Sequence, residues 1–177
     1  MFSLNVPVPP AIDRIASDLH PTLASFDRIR ERHTLVCKRF AVDDVAPPGG
    51  PDPSRDRAVA VLRERLRPLL RGTDPFPVRV AGVDAFREPT RGPGPVVYLA
   101  VESRTLERLH RRLCGVFDPV EGIEGDGYVP HVTLARGGDD AALRRALAAD
   151  IEPVAWEVTE LELYDPEFRE PAATLRL

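Results

Sequence analysis

Two histidines stand where an imidazole could move a proton near neutral pH. They lie in Arg32-His33-Thr34-Leu35-Val36 and in Pro130-His131-Val132-Thr133-Leu134-Ala135-Arg136, stretches rich in aliphatic and β-branched residues. Residues two apart on a strand share a face. His131 and Thr133 therefore point one way, with Val132 and Leu134 pointing the other. An imidazole beside a hydroxyl can hold a phosphate oxygen and transfer a proton. Two such pairs facing across a cleft would supply an acid and a base in line, with no metal. His-x-Thr alone is a short pattern, and a half-buried strand histidine is its competing reading. His20 and His110 fall inside helical patterns and read as surface or packing residues.

The elements that must position these residues follow from periodicity. Phe2–Val8 reads as a strand. Ala11–Phe26 has one helical face of Ile12, Ile15, Leu19 and Leu23, with Pro21 as a break or kink. Arg32–Phe40 reads as the first histidine strand. The Pro/Gly-rich stretch at 46–54 reads as a loop, and Arg55–Leu70 as a helix with Val59, Leu62, Leu66, Leu69 and Leu70 along its apolar stripe. Strands at Val78–Phe86 and Val96–Glu102 follow, then a helix from Leu106 to Phe117. A Gly-rich loop, Gly122–Gly127, leads into the second histidine strand, Tyr128–Arg136. Asp139-Asp140 stand where helix N-caps go, before an alanine-rich helix to Ala149. Strands at Val154–Tyr164 and Ala172–Leu177 close the chain. Short, partly alternating strands interleaved with helices predict an α+β fold, antiparallel sheets carrying helices on their outer faces.

The composition excludes other classes. A chain of 177 residues with 43% hydrophobic and 29% charged side chains suits one domain, here 1–177, rather than a disordered segment. Apolar runs such as Val96–Val101 fall far short of the ~20 residues that span a bilayer. Met1–Pro10 has no basic residue, so it does not read as a secretory signal. A cytoplasmic protein, working as a monomer, is expected. The net charge of −4 argues against a polyanion coating the whole surface, although all basic residues except Lys38 are arginines, whose forks match phosphate. Cys37 and Cys114 form no CxxC pair and read as buried free thiols.

The segment Pro130–Arg136 resembles the second signature of the two-histidine (2H) phosphoesterase superfamily, in its RNA 2′,5′-ligase/cyclic phosphodiesterase branch. The order of elements over essentially the whole chain resembles it too. The resemblance implies a bilobed, pseudo-two-fold α+β fold, with two antiparallel sheets lining a central cleft. It implies metal-independent hydrolysis of 2′,3′-cyclic phosphate ends of RNA or of cyclic nucleotides, or ligation and cleavage of 2′,5′ linkages, with no cofactor. Carried over, His131 and Thr133 form the second catalytic pair. Arg136 is the phosphate-contacting arginine, and Tyr128 borders the cleft.

The first motif departs from the pattern. If His33 holds the histidine place, Leu35 stands where a threonine is expected. If Thr34 holds the threonine place, Arg32 replaces the histidine and His33 faces away. A strand exchanges its faces on a one-residue slip, so both cannot hold without a bulge. The first register is the expected one: it turns His33 into the cleft and Val36 into the core, at the cost of Leu35 among polar groups and Lys38 on the core face. With that register the resemblance implies His131 as the base and His33 as the acid, or the same two roles exchanged, with a bell-shaped pH profile. Thr34 is carried as a substrate-binding residue. The alternative function is a nucleotide- or RNA-binding protein whose degenerate first motif has lost turnover.

Overall fold

The computed structural model describes residues 2–46 and 52–177. Most of the loop expected at 46–54 lies outside the described residues. Among those described, nine strands form one antiparallel sheet with four α-helices. The elements are β1 (Ser3–Val6), α1 (Pro10–Leu23), β2 (Arg28–Ile29), β3 (Leu35–Arg39), α2 (Arg55–Leu70), β4 (Phe76–Phe86), β5 (Val96–Glu102), α3 (Arg104–Cys114), β6 (His131–Arg136), α4 (Asp140–Leu147), β7 (Val154–Val158), β8 (Glu160–Asp165) and β9 (Glu170–Arg176). The strand order is β7-β4-β5-β6-β3-β1-β8-β9, with the short β2 beside β6.

This order contains two four-stranded halves, β7-β4-β5-β6 and β3-β1-β8-β9, that meet at the β6–β3 seam. The bilobed α+β architecture is thus present, and the two lobes' sheets run into one another. The long strand expected over Val154–Tyr164 is two strands. β7 ends at Val158 and pairs with β4, whereas β8 begins at Glu160 and pairs with β1. The chain crosses from one half to the other at Thr159.

Helix formation follows the apolar stripes. α1 buries Ile12, Ile15, Leu19 and Leu23, and α2 buries Ala58, Leu62, Leu66 and Leu70. Pro21 does not break α1; it falls in the last turn, where few later residues depend on continuing the hydrogen-bond ladder. The Ser103 hydroxyl caps α3 and the Asp139 carboxylate caps α4, each accepting an N–H three residues on. Cys37 and Cys114 are free thiols, the first buried and the second half-buried. Among the described residues, no helix is long and apolar enough to cross a membrane.

Candidate functional site

At the seam, β3 and β6 pair antiparallel through Leu35 and Val132, both fully buried in the core. Their neighbours point to the opposite face. Thr34 and Val36 from one half, and His131 and Thr133 from the other, line one cavity of about 400 Å³.

This placement overturns the register expected at the first motif. Leu35 belongs to the core and Val36 to the cleft; Arg32 and Thr34 line the cavity, and His33 does not. The His33 Nδ1 instead lies 2.7 Å from the Asp13 carboxylate at the start of α1. The physical reason is burial. Leu35 opposite Val132 removes two large aliphatic side chains from water, each worth about 1.5–3 kcal/mol. The other register would leave Leu35 among arginines. Lys38 nevertheless reaches the core face, through a bulge: Leu4 faces Lys38 and Asn5 faces Val36, so Cys37 is the extra residue. Val36 and Lys38, two apart, consequently face opposite sides. His33 as the acid required a side chain in the cleft, and that placement is not found.

His131 is held in one orientation by its hydrogen bond and its aromatic neighbours. Its Nδ1 donates to the Val129 carbonyl at 2.7 Å, which leaves Nε2 as the lone-pair nitrogen. The rings of Phe86 and Tyr98 flank the imidazole with centroids 5.1 and 5.2 Å away. Burial pushes the His131 pKa below its ordinary value, and the charges of Arg39 and Arg136 add to this despite the carbonyl.

Around it the cleft is cationic. Arg30, Arg32, Arg39, Arg91 and Arg136 line it, with Glu88 the one acidic residue among its lining. Burial first, and then the charges of Arg30 and Arg28, depress the Arg136 pKa. Arginines crowded against each other in this way form a site that a phosphate would relieve. Arg136 also donates to the Arg91 carbonyl at 2.9 Å, which ties the loop at 87–95 to the cleft rim. Thr90 donates to the Gly122 carbonyl at 3.0 Å, so this loop and the one at 118–127 close the cavity together. Gly122 is required there: its φ is +76°, and a Cβ would sit 2.7 Å from the Thr90 methyl.

The 118–127 wall is fixed from beneath. Lys38 donates to Glu124 at 2.7 Å and to the Asp118 carbonyl at 3.0 Å, and both charged side chains are fully buried. Burial alone would raise the Glu124 carboxyl; hydrogen bonds from Lys38, Val120 and Arg39 and the lysine charge outweigh it and hold the pKa below its ordinary value. His110, on α3, sits 2.6 Å by Nδ1 from the Cys37 carbonyl and accepts from the Gly125 N–H at 2.9 Å by Nε2. Tyr128 stacks on it at 3.7 Å and donates to the Val36 carbonyl at 2.8 Å. The Tyr128 hydroxyl is thus occupied, and burial raises its pKa well above the usual phenol value. Among the described residues, no group of three or more His, Cys, Asp or Glu side chains could hold a metal ion.

Of the residues selected from sequence, Thr34, Tyr128, His131, Thr133 and Arg136 share the cleft. Sequence reasoning missed Arg39 and Phe86. Arg39 reaches the cleft face through the bulge at Cys37, which strict alternation from Thr34 and Val36 does not reveal. Phe86 is brought near the seam by the pairing of β4 with β5, which periodicity does not reveal.

The family model of the 2′-5′ RNA ligase superfamily matches residues 44–167, well over half of the chain, including the second motif but not the first. The chain resembles the crystal structure of TT0787 of Thermus thermophilus with a TM-score of 0.61, at 18% identity over 99% of this chain and 97% of that one. It resembles Escherichia coli LigT complexed with 3′-AMP with a TM-score of 0.56, at 16% identity over 99% of this chain and 94% of that one. A structure described as a phosphoesterase gives a TM-score of 0.58 at 17% identity, over 99% and 97% of the two chains. No curated protein sequence matches the chain.

Proposed function

Since the chain belongs to the 2′-5′ RNA ligase superfamily, we propose that its cleft opens 2′,3′-cyclic phosphate ends of RNA or nucleotides, using His131 as its one proton-transferring side chain. The observation that carries this reading is an imidazole whose Nδ1 is held by the Val129 carbonyl, leaving Nε2 as the lone-pair nitrogen, set among five arginines, with burial favouring its neutral form. Such a cavity concentrates an anion and offers it a base.

In this mechanism His131 Nε2 takes a proton from water as the water oxygen bonds to phosphorus. The bond from phosphorus to one ribose oxygen breaks, and that oxygen takes its proton from solvent. His131 then returns its own proton to solvent, so the net reaction is hydrolysis to a monophosphate. Thr133, Thr34 and Arg136 hold the non-bridging oxygens, and Arg32 stabilises the charge on the departing one. Neither Arg32, always charged, nor Tyr128, already donating to Val36, serves as the acid. The two-histidine bell therefore becomes a single ascending limb.

The test is incubation of a nucleoside 2′,3′-cyclic phosphate with the protein in excess chelator, with products resolved by chromatography. The expected product is a single nucleoside monophosphate. A requirement for added metal would overturn the mechanism. Arg32 at the first histidine's place supports one second reading, a nucleotide-binding protein without turnover; tight binding of an unconverted substrate would select it.

A further inference from the structure

A second cavity of about 320 Å³ lies on the same face of the sheet as the arginine cleft, and Arg32 and Thr34 line both. Asn5, on β1, faces it; its strand partners are Val36 of the cleft and Glu162 of β8. Two of the residues that line it carry a buried polar atom with no hydrogen-bond partner among the described residues, Asn5 Oδ1 and His33 Nε2. Asn5 is 4% exposed and the His33 side chain 6%. Buried polar atoms left unpaired are costly, so a ligand group that reaches and pairs with them gains affinity.

The character of this cavity is opposite to that of the cleft. Asp13, Glu31 and Glu162 line it, against Arg32 as its one arginine. Burial and the neighbouring Glu160 raise the Glu162 pKa, as befits a carboxylate short of donors. A second phosphate would be repelled here, whereas hydroxyl and amino groups would find acceptors. The volume suits a sugar or a base rather than a longer chain.

We infer that this cavity is the nucleoside pocket of the same site, accepting hydrogen bonds from the hydroxyls or amines of a nucleotide whose phosphate lies among the arginines. The inference rests on the phosphate reading of the cleft and deepens it. Arg32 and Thr34, common to both cavities, mark where the phosphate and the nucleoside join.

Calorimetric titration of the full chain with a nucleoside 3′-monophosphate and, separately, with inorganic phosphate tests this without requiring turnover. Asn5→Leu removes the orphaned carbonyl at similar volume. Glu162→Met removes the carboxylate at a half-buried site, and serves if the first variant fails to fold. The nucleotide should bind each variant about tenfold more weakly, with phosphate affinity unchanged. Equal weakening of both ligands, or no change for the nucleotide, overturns the pocket. A wild type that binds phosphate but gains nothing from the nucleoside overturns the pocket alone. A wild type that binds neither overturns the phosphate reading, and the pocket with it.

Discussion

At the scale of single residues, the site turns on which side chain occupies each position across the seam. Arg32 lies two residues before Thr34 and lines the cleft, the position where the superfamily resemblance leads one to expect a histidine. Arg32→His would place a second imidazole there. The rate should rise by about 10²-fold, and the pH profile should gain a descending alkaline limb. An unchanged rate and profile would show that position 32 takes no part in proton transfer. For the wild type, the proposed base acts when neutral, and burial lowers its pKa from the ordinary value of 6.5. Activity should thus climb with pH through a midpoint below 6.5 and then stay level; a bell in steady-state assays would require a second titrating group. The second motif was legible because His131 and Thr133 flank the seam residue Val132 in a regular run of β6, ahead of the irregularity at Leu134, and alternation alone aims them. The first was not: the bulge at Cys37 lets Val36 and Lys38 point to opposite faces, so no strict alternation fits the whole of β3.

At the scale of elements, the buried Lys38–Glu124 pair ties β3 to the loop that walls the cleft. Removing one partner strands the other charge in the core. Lys38→Met should cost about 3–5 kcal/mol, while Lys38→Met combined with Glu124→Leu should recover much of that loss. Thermal unfolding of the single and double variants checks this, and equal loss in both would deny the pairing its role. The same pair sets an acid limit. The folded pKa of Glu124 is depressed, so its contribution is complete above its unfolded value near 4.5 and disappears as pH falls through the folded pKa. Wild-type stability should fall more steeply below pH 4.5 than that of the double variant. Periodicity located α2 at Arg55–Leu70 because its stripe is regular and buries Leu62, Leu66 and Leu70, while Val59 and Leu69 are only partly buried. It joined β7 to β8 because their residues form one near-continuous apolar-alternating run. The break at Thr159 is a matter of partners, β4 for one strand and β1 for the other, and pairing across the sheet is not written in local periodicity.

At the scale of the whole molecule, the site belongs to neither half alone. Thr34, just ahead of β3, and His131, on β6, come from different halves, joined where Leu35 meets Val132. Leu35→Ala should cost about 2–5 kcal/mol through the cavity it opens and weaken phosphate binding by loosening the seam. Phosphate affinity unchanged in a folded Leu35→Ala protein would show that the seam does not position the site. The overall architecture was readable because interleaved elements, an apolar opening strand and the His-x-Thr spacing together resemble one fold. The arginine cleft was less so, since Arg30, Arg32, Arg39, Arg91 and Arg136 are scattered in sequence and converge only through the sheet order. The most direct test of the account compares hydrolysis of a nucleoside 2′,3′-cyclic phosphate, with chelator present, by wild type, His131→Ala and His33→Ala. His131→Ala should lose roughly 10²–10⁴-fold in rate, whereas His33→Ala, whose ring lies outside the cleft, should keep the chemical rate within about tenfold. Equal collapse of both variants in kcat, with both still folded, would return His33 to the catalytic cleft and contradict the one-histidine mechanism.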